Sequence, residues 1–235
     1  MSRRSLLTSG DMPGELLGPI VRLQVQRVPL KTRGEGYDPG PILAVPEAAI
    51  GPDGIAWRHE GGWVLDAHHR AHPQADGSGR RALSMGFSEH YRLMAGRFGA
   101  APLGCAGENV IVATDRRVFL EDLAGTVVIR GESGSLPLTG AFVAAPCLEF
   151  TSFLLGRSDV GSVAEIGDAR AFLHEGMRGY ILDVTDLDRV QTVRVGDEVW
   201  VEGSAPERSS ASYSLSNTLP IPAGGSEASS RRQAG

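Results

Sequence analysis

Phe142-Val143-Ala144-Ala145-Pro146-Cys147-Leu148-Glu149-Phe150 is an apolar, strand-like run that a proline interrupts and a lone thiol follows at once. Proline fixes its own φ and offers no N–H to a ladder, so a strand ends or bulges there and the next side chain turns out at its rim. Cys147 is reachable on this reading. Such a sulfur acts as nucleophile, persulfide carrier or soft-metal ligand where nearby positive charge keeps it partly as thiolate. The alternative is that Cys147 is a small buried hydrophobe, the common fate of a free cysteine. The residues of this stretch leave both readings open.

The same grammar, a short apolar run closed by Gly or Pro, recurs on either side. Val21-Arg22-Leu23-Gln24-Val25-Gln26 alternates with the period of a half-buried strand and stops before Pro29; Ile42-Leu43-Ala44-Val45 is closed by Pro46. Between them Gly34 to Pro41 reads as loop. Further strands are expected at Thr126–Ile129, Ala141–Ala144, Tyr180–Val184 and Glu198–Val201. Two segments have helical periodicity. Ser88 reads as an N-cap, with Tyr91, Met94, Ala95 and Phe98 on one buried stripe, His90 and Arg92 off it and solvated, and Gly99 as the stop. The other runs through Ile166, Ala169, Arg170, Phe172 and Leu173 to Gly176. The expectation is a mainly β protein, a barrel with a few short helices, in one domain over 19–203. Residues 1–18 and 204–235 read as flexible or disordered tails without apolar anchors.

Composition narrows the function. The 235 residues are 41% hydrophobic and 22% charged, enough for one sizeable core, and a net charge of -5 argues against broad binding to nucleic acid. Cys105 and Cys147, the two cysteines, form no closely spaced ligand pair and no disulfide framework. Ser2-Arg3-Arg4-Ser5-Leu6-Leu7 has a superficial likeness to a twin-arginine signal, but the turn formers and acids of Thr8 to Glu15 replace the apolar stretch such a signal needs. No run is long enough to span a bilayer. A cytoplasmic protein with no membrane partner is expected.

Two polar stretches hold further candidates. Asp66-Ala67-His68-His69-Arg70-Ala71-His72-Pro73 carries three of the six histidines and reads as a surface or pocket-covering loop, with zinc ligation the lesser reading. Gly104-Cys105-Ala106-Gly107-Glu108-Asn109 is a glycine-rich turn into the strand Val110-Ile111-Val112. Its acid and amide either hold donors of a polar ligand or close the turn on its own backbone.

In order, Gly107-Glu108-Asn109, Pro146-Cys147, Gly176-Met177-Arg178-Gly179-Tyr180 and Val195-Gly196-Asp197-Glu198-Val199 make the chain from about His68 to Val201 resemble the MOSC family. This pyridoxal phosphate-associated family is the C-terminal domain of molybdenum cofactor sulfurases. The resemblance implies a MOSC-like β-barrel and a pocket for the molybdenum cofactor (molybdopterin). It implies Cys147 as molybdenum ligand and catalytic residue, and a pocket built from Gly107, Glu108, Asn109, Arg178, Gly179, His68 and His69. Relatives reduce N-hydroxylated compounds, so an oxidoreductase fed by a separate electron-donor protein is one expectation. The other is a sulfur carrier, a non-catalytic module delivering persulfide sulfur from Cys147 to a cofactor-bearing partner. Many single-domain members have an arginine before Pro-Cys where this chain has Ala145, which leaves Arg178 to hold an anionic cofactor. They also carry His-His-Gly-Gly where this chain has His68-His69-Arg70-Ala71.

Overall fold

The alternation read in Val21–Gln26 belongs to a longer strand, β1 (Glu15–Gln26), and this strand closes the fold. A computed structural model describes residues 14–33, 36–75 and 81–203. The chain divides into units 1–205 and 206–235, and the second lies outside the described residues, as do most of the expected N-terminal tail and all of the C-terminal one. After β1 come the paired β2 (Lys31–Thr32) and β3 (Gly36–Tyr37), then β4 (Ile42–Val45), β5 (Glu47–Gly51), β6 (Gly54–His59), β7 (Gly62–Leu65) and β8 (Leu83–Phe87). Helix α1 (Ser88–Phe98) leads into β9 (Val110–Val112), β10 (Thr126–Gly131) and β11 (Gly134–Val143). Helices α2 (Leu148–Leu154) and α3 (Gly167–Leu173) precede β12 (Tyr180–Asp183), β13 (Gln191–Arg194) and β14 (Glu198–Glu202).

Seven strands close into a barrel in the order β1-β14-β10-β11-β12-β8-β9 and back to β1, antiparallel throughout except for β8 beside β9. The protein is mainly β, as its short broken runs predict. β1 serves both neighbours because register shifts between Leu16 and Gly18 and between Ile20 and Arg22 bend it from β14 onto β9. Gly18 permits that bend: at φ +149° a Cβ would lie 2.0 Å from the carbonyl oxygen of Ala113. Val127 and Ile129, Leu136 and Leu138, and Val199 and Val201 alternate into the barrel core. Each such buried side chain contributes about 1.5–3 kcal/mol. A second, four-stranded sheet, β13-β5-β6-β7, adds Ala48, Ile50, Ile55 and Val193 to the same core.

A separate apolar cluster joins the three helices: Tyr91 and Met94 of α1, Phe150 and Leu154 of α2, Leu173 of α3, and Cys105 and Met177 from loops. Several sequence expectations are corrected here. β1 starts at Glu15 rather than at Val21, because Glu15, Leu16, Gly18 and Pro19 pair with β14. The stretch Gly34–Pro41 is not all loop, since Gly36 and Tyr37 pair with β2. Phe87, not Ser88, caps α1 in extended conformation, and the Ser88 hydroxyl instead donates to the carbonyl of Thr114. His90 is buried, not solvated: its ring meets Phe87 edge-on and Nε2 accepts the Val118 N–H at 3.1 Å. Helix α3 ends at Leu173 with His174 as its C-cap, ahead of Gly176.

Candidate functional site

β11 ends at Val143, ahead of Pro146, and Cys147 is not left dangling at its rim. It caps α2, its Sγ accepting the N–H of Phe150 at 3.4 Å while the Thr151 hydroxyl donates to its carbonyl at 2.8 Å. The thiol is half-buried and borders a cavity of about 410 Å³, within the range of small-molecule sites of about 300–1,000 Å³. The bland reading of Cys147 as core filling is therefore incomplete, since one side of it faces open space.

Among the described residues four cations, Lys31, Arg81, Arg170 and Arg178, line this cavity with His68, and Glu108 is the one acidic side chain. Two of the arginines also hold the backbone beside the thiol. Arg178 Nη1 donates to the carbonyl of Ala145 at 3.0 Å and Arg170 Nε to that of Pro146 at 3.2 Å. Arg178 also lies over the Phe150 ring, 5.2 Å from its centroid. The segment between strand and helix is thus framed by two guanidiniums, even though position 145 itself is alanine.

The turn from Gly104 to Asn109 splits its roles. Gly107 lines the cavity, and its carbonyl accepts from the Gln26 side chain. Glu108 is 2% exposed; Tyr91 O–H donates to its Oε2, and its Oε1 has no hydrogen-bond partner. Burial pushes its carboxyl up to about 7, with the Tyr91 hydrogen bond and Arg178 pulling the other way. Asn109 faces away from the cavity. Its Nδ2 donates to the Gln24 carbonyl and to Asp66, and its Oδ1 accepts from the N–H and hydroxyl of Ser84, so the amide is fully used within the fold.

His68 is positioned by Asp66, which is wholly buried and accepts four hydrogen bonds. Gln26 N–H and Asn109 Nδ2 bond its Oδ2, and the N–H and Nδ1 of His68 bond its Oδ1, the ring contact at 3.1 Å. His69 points elsewhere: it lines a separate cleft with Trp63 and Val190, and burial lowers its pKa. Gly179 does not line the cavity. Its φ is +90°, a Cβ there would lie 2.4 Å from the Met85 carbonyl oxygen, and its own carbonyl accepts the Ala144 N–H.

Of the residues expected from sequence, Cys147, Gly107, Glu108, Arg178 and His68 meet at one cavity, whereas Asn109, Gly179 and His69 support the fold around it. Sequence reasoning missed Lys31, Tyr37, Arg81 and Arg170 as lining residues. Arg170 is visible in the sequence only as part of a helical stripe, and nothing local marks the other three. Cys105 is buried, and its thiol is pushed up to about 12, chiefly by burial. Among the described residues no three or more His, Cys, Asp or Glu gather as a metal site, so Cys147 is a solitary soft donor. No described helix is long and apolar enough to cross a membrane.

Fold and site together define a closed β-barrel protein with a cation-lined cavity beside a lone cysteine. The YuaD protein from Bacillus subtilis is similar in structure, with a TM-score of 0.50 and 18% identity over 80% of this chain and 98% of that one. At that identity the likeness shows the fold alone. A second solved structure, of a hypothetical protein, gives a TM-score of 0.45 and 16% identity over 81% of this chain and 67% of that one. No family model matches the sequence, and no curated protein matches it.

Proposed function

We propose that the cavity holds the molybdenum cofactor and that Cys147 supplies a thiolate ligand to its metal, as the resemblance to the MOSC family implies. The observation that carries this reading is the single thiol on the wall of a cavity lined by four cations. Guanidinium groups suit a phosphate because they bond it in two places, and thiolate is a soft ligand that suits molybdenum. Arg170 and Arg178 hold the backbone beside the thiol, and Lys31 and Arg81 add charge elsewhere on the wall. His68, fixed by Asp66, presents a ring to the same space. When bound, the group supplies two-electron chemistry suited to reducing N-hydroxylated compounds, with electrons from a separate partner protein.

The second reading, persulfide delivery to a partner, is favoured by one feature: among the described residues no group of three or more His, Cys, Asp or Glu forms a metal site at Cys147, and a persulfide needs only one sulfur and room beside it. Alkylation separates the two. If the first holds, protein made in a host that synthesises the cofactor is protected at Cys147 until the cofactor is stripped. If the second holds, the protein is metal-free and releases one labile sulfur on cyanide treatment, and Cys147→Ala abolishes that release. A thiol alkylated at the same rate in both preparations, with no labile sulfur, contradicts both readings.

A further inference from the structure

Among the described residues Glu108 is the one acid that lines the cavity with its cations, and its setting is that of a proton carrier. Space for its carboxyl is built from two glycines: a Cβ on Gly86 would lie 2.7 Å from Oε1, and one on Gly179 3.2 Å from it. The unpartnered, buried Oε1 makes the ionised form costly, while the Tyr91 hydroxyl on Oε2 keeps that form accessible. Four groups bear on it electrostatically: Tyr91 from α1, Tyr37 from β3, Cys105 on its own turn and Arg178 ahead of β12. Burial pushes the first three up, so they stay neutral, and Arg178 is the one cation of the four. With its carboxyl raised to about 7, small electrostatic changes alter how much proton Glu108 holds.

We propose that Glu108 is the proton donor of this cavity and that the ligand loads it: an anion bound among Lys31, Arg81, Arg170 and Arg178 draws a proton from solvent onto the Glu108 carboxylate. The inference rests on the anion-binding reading of the cavity given above. A negative charge nearby disfavours a second one, so the carboxylate takes up a proton as the anion enters. Glu108 lines the cavity, and its Oε1, packed against Gly86 and Gly179 with no hydrogen-bond partner, turns toward the ligand to donate. Donation to a ligand heteroatom returns Glu108 to the carboxylate, which Tyr91 O–H and Arg178 stabilise, and only a proton moves.

Sulfate, whose charge is constant across the neutral range, is the probe. Calorimetric titration at pH about 7.5, in buffers of differing ionisation enthalpy, reads protons taken up per sulfate bound. His68 is removed from the comparison by working in His68→Gln protein. Uptake is expected in that background and is lost when Glu108→Gln is added. Above pH 7 the Glu108→Gln protein binds sulfate about tenfold more tightly, the effect of removing one unit charge at an interior dielectric. Tyr91→Phe provides a second reading: loss of the donor pulls Glu108 further up and moves maximal uptake to higher pH. Uptake that is unchanged by Glu108→Gln, or absent while sulfate binds, overturns the inference and leaves the anion site standing. Failure of sulfate to bind at any pH overturns both.

Discussion

The Tyr91 hydroxyl donates its hydrogen bond to Glu108, so a residue of the helix core and a residue of the cavity wall form one buried pair. The hydroxyl also accepts the N–H of Ala106, tying the glycine-rich turn to α1. The pair ties the cavity wall to the helix core and bears on the Glu108 carboxyl, and stability should report it.

Glu108 makes stability pH-dependent with a definite sign. Its folded value of about 7 lies above the ordinary 4.5, so between those values the folded state holds a proton that the unfolded chain has released. Stability from this group is full below about 4.5 and is lost as pH rises through 7, by roughly 3 kcal/mol in all. Glu108→Gln should accordingly be more stable relative to wild type at pH 8 than at pH 5. Melting temperatures of the two proteins across this range check it, and a constant difference contradicts it.

His90 works in the opposite sense. Burial lowers it from 6.5 to about 4, so the unfolded chain gains a proton first and stability falls as pH drops through that interval. Replacing His90 with Gln should flatten the acid limb of the melting profile, even if the variant is less stable at pH 8.

Asp66→Asn tests the buried hub. Both oxygens of Asp66 face donors, so an amide NH2 at either position meets another N–H, at a cost of about 1–3 kcal/mol. A fall of roughly 2–4 °C in Tm per kcal/mol follows for a domain of this size. An unchanged Tm would mean the His68 loop does not depend on Asp66.

The two cysteines should differ in reactivity. Iodoacetamide should label Cys147 in the native apo-protein and spare Cys105, which is buried and whose thiol is pushed up to about 12. Peptide mapping reads the ratio, and preferential labelling of Cys105 would contradict the site.

Much of the barrel is legible in the sequence because Gly and Pro punctuate runs whose apolar residues alternate, as in Val21–Gln26 and Thr126–Ile129. The sheet of β5, β6, β7 and β13 is less so, since Glu47–Gly51 and Gly54–His59 are short and carry little apolar contrast. Helix α2 is hidden because Cys147 is an unusual cap and seven residues show barely two turns of period. At the site, Cys147, Glu108 and Arg178 stand out by motif. Asn109 and Gly179 carry the same motifs yet serve the backbone, a division that only the paths of β8, β9 and β12 decide. Lys31 and Arg81 reach the cavity through tertiary approach, which no local pattern encodes.

We propose, above all, that the cavity beside Cys147 holds a molybdenum cofactor. Elemental analysis of the purified chain, made in a host that synthesises the cofactor, tests it most directly. Close to one molybdenum per chain is expected in wild type and a large loss in Cys147→Ser, whose harder oxygen replaces the soft ligand while nearly preserving shape. A wild-type protein with no molybdenum, or a Cys147→Ser protein with the wild-type content, would contradict it.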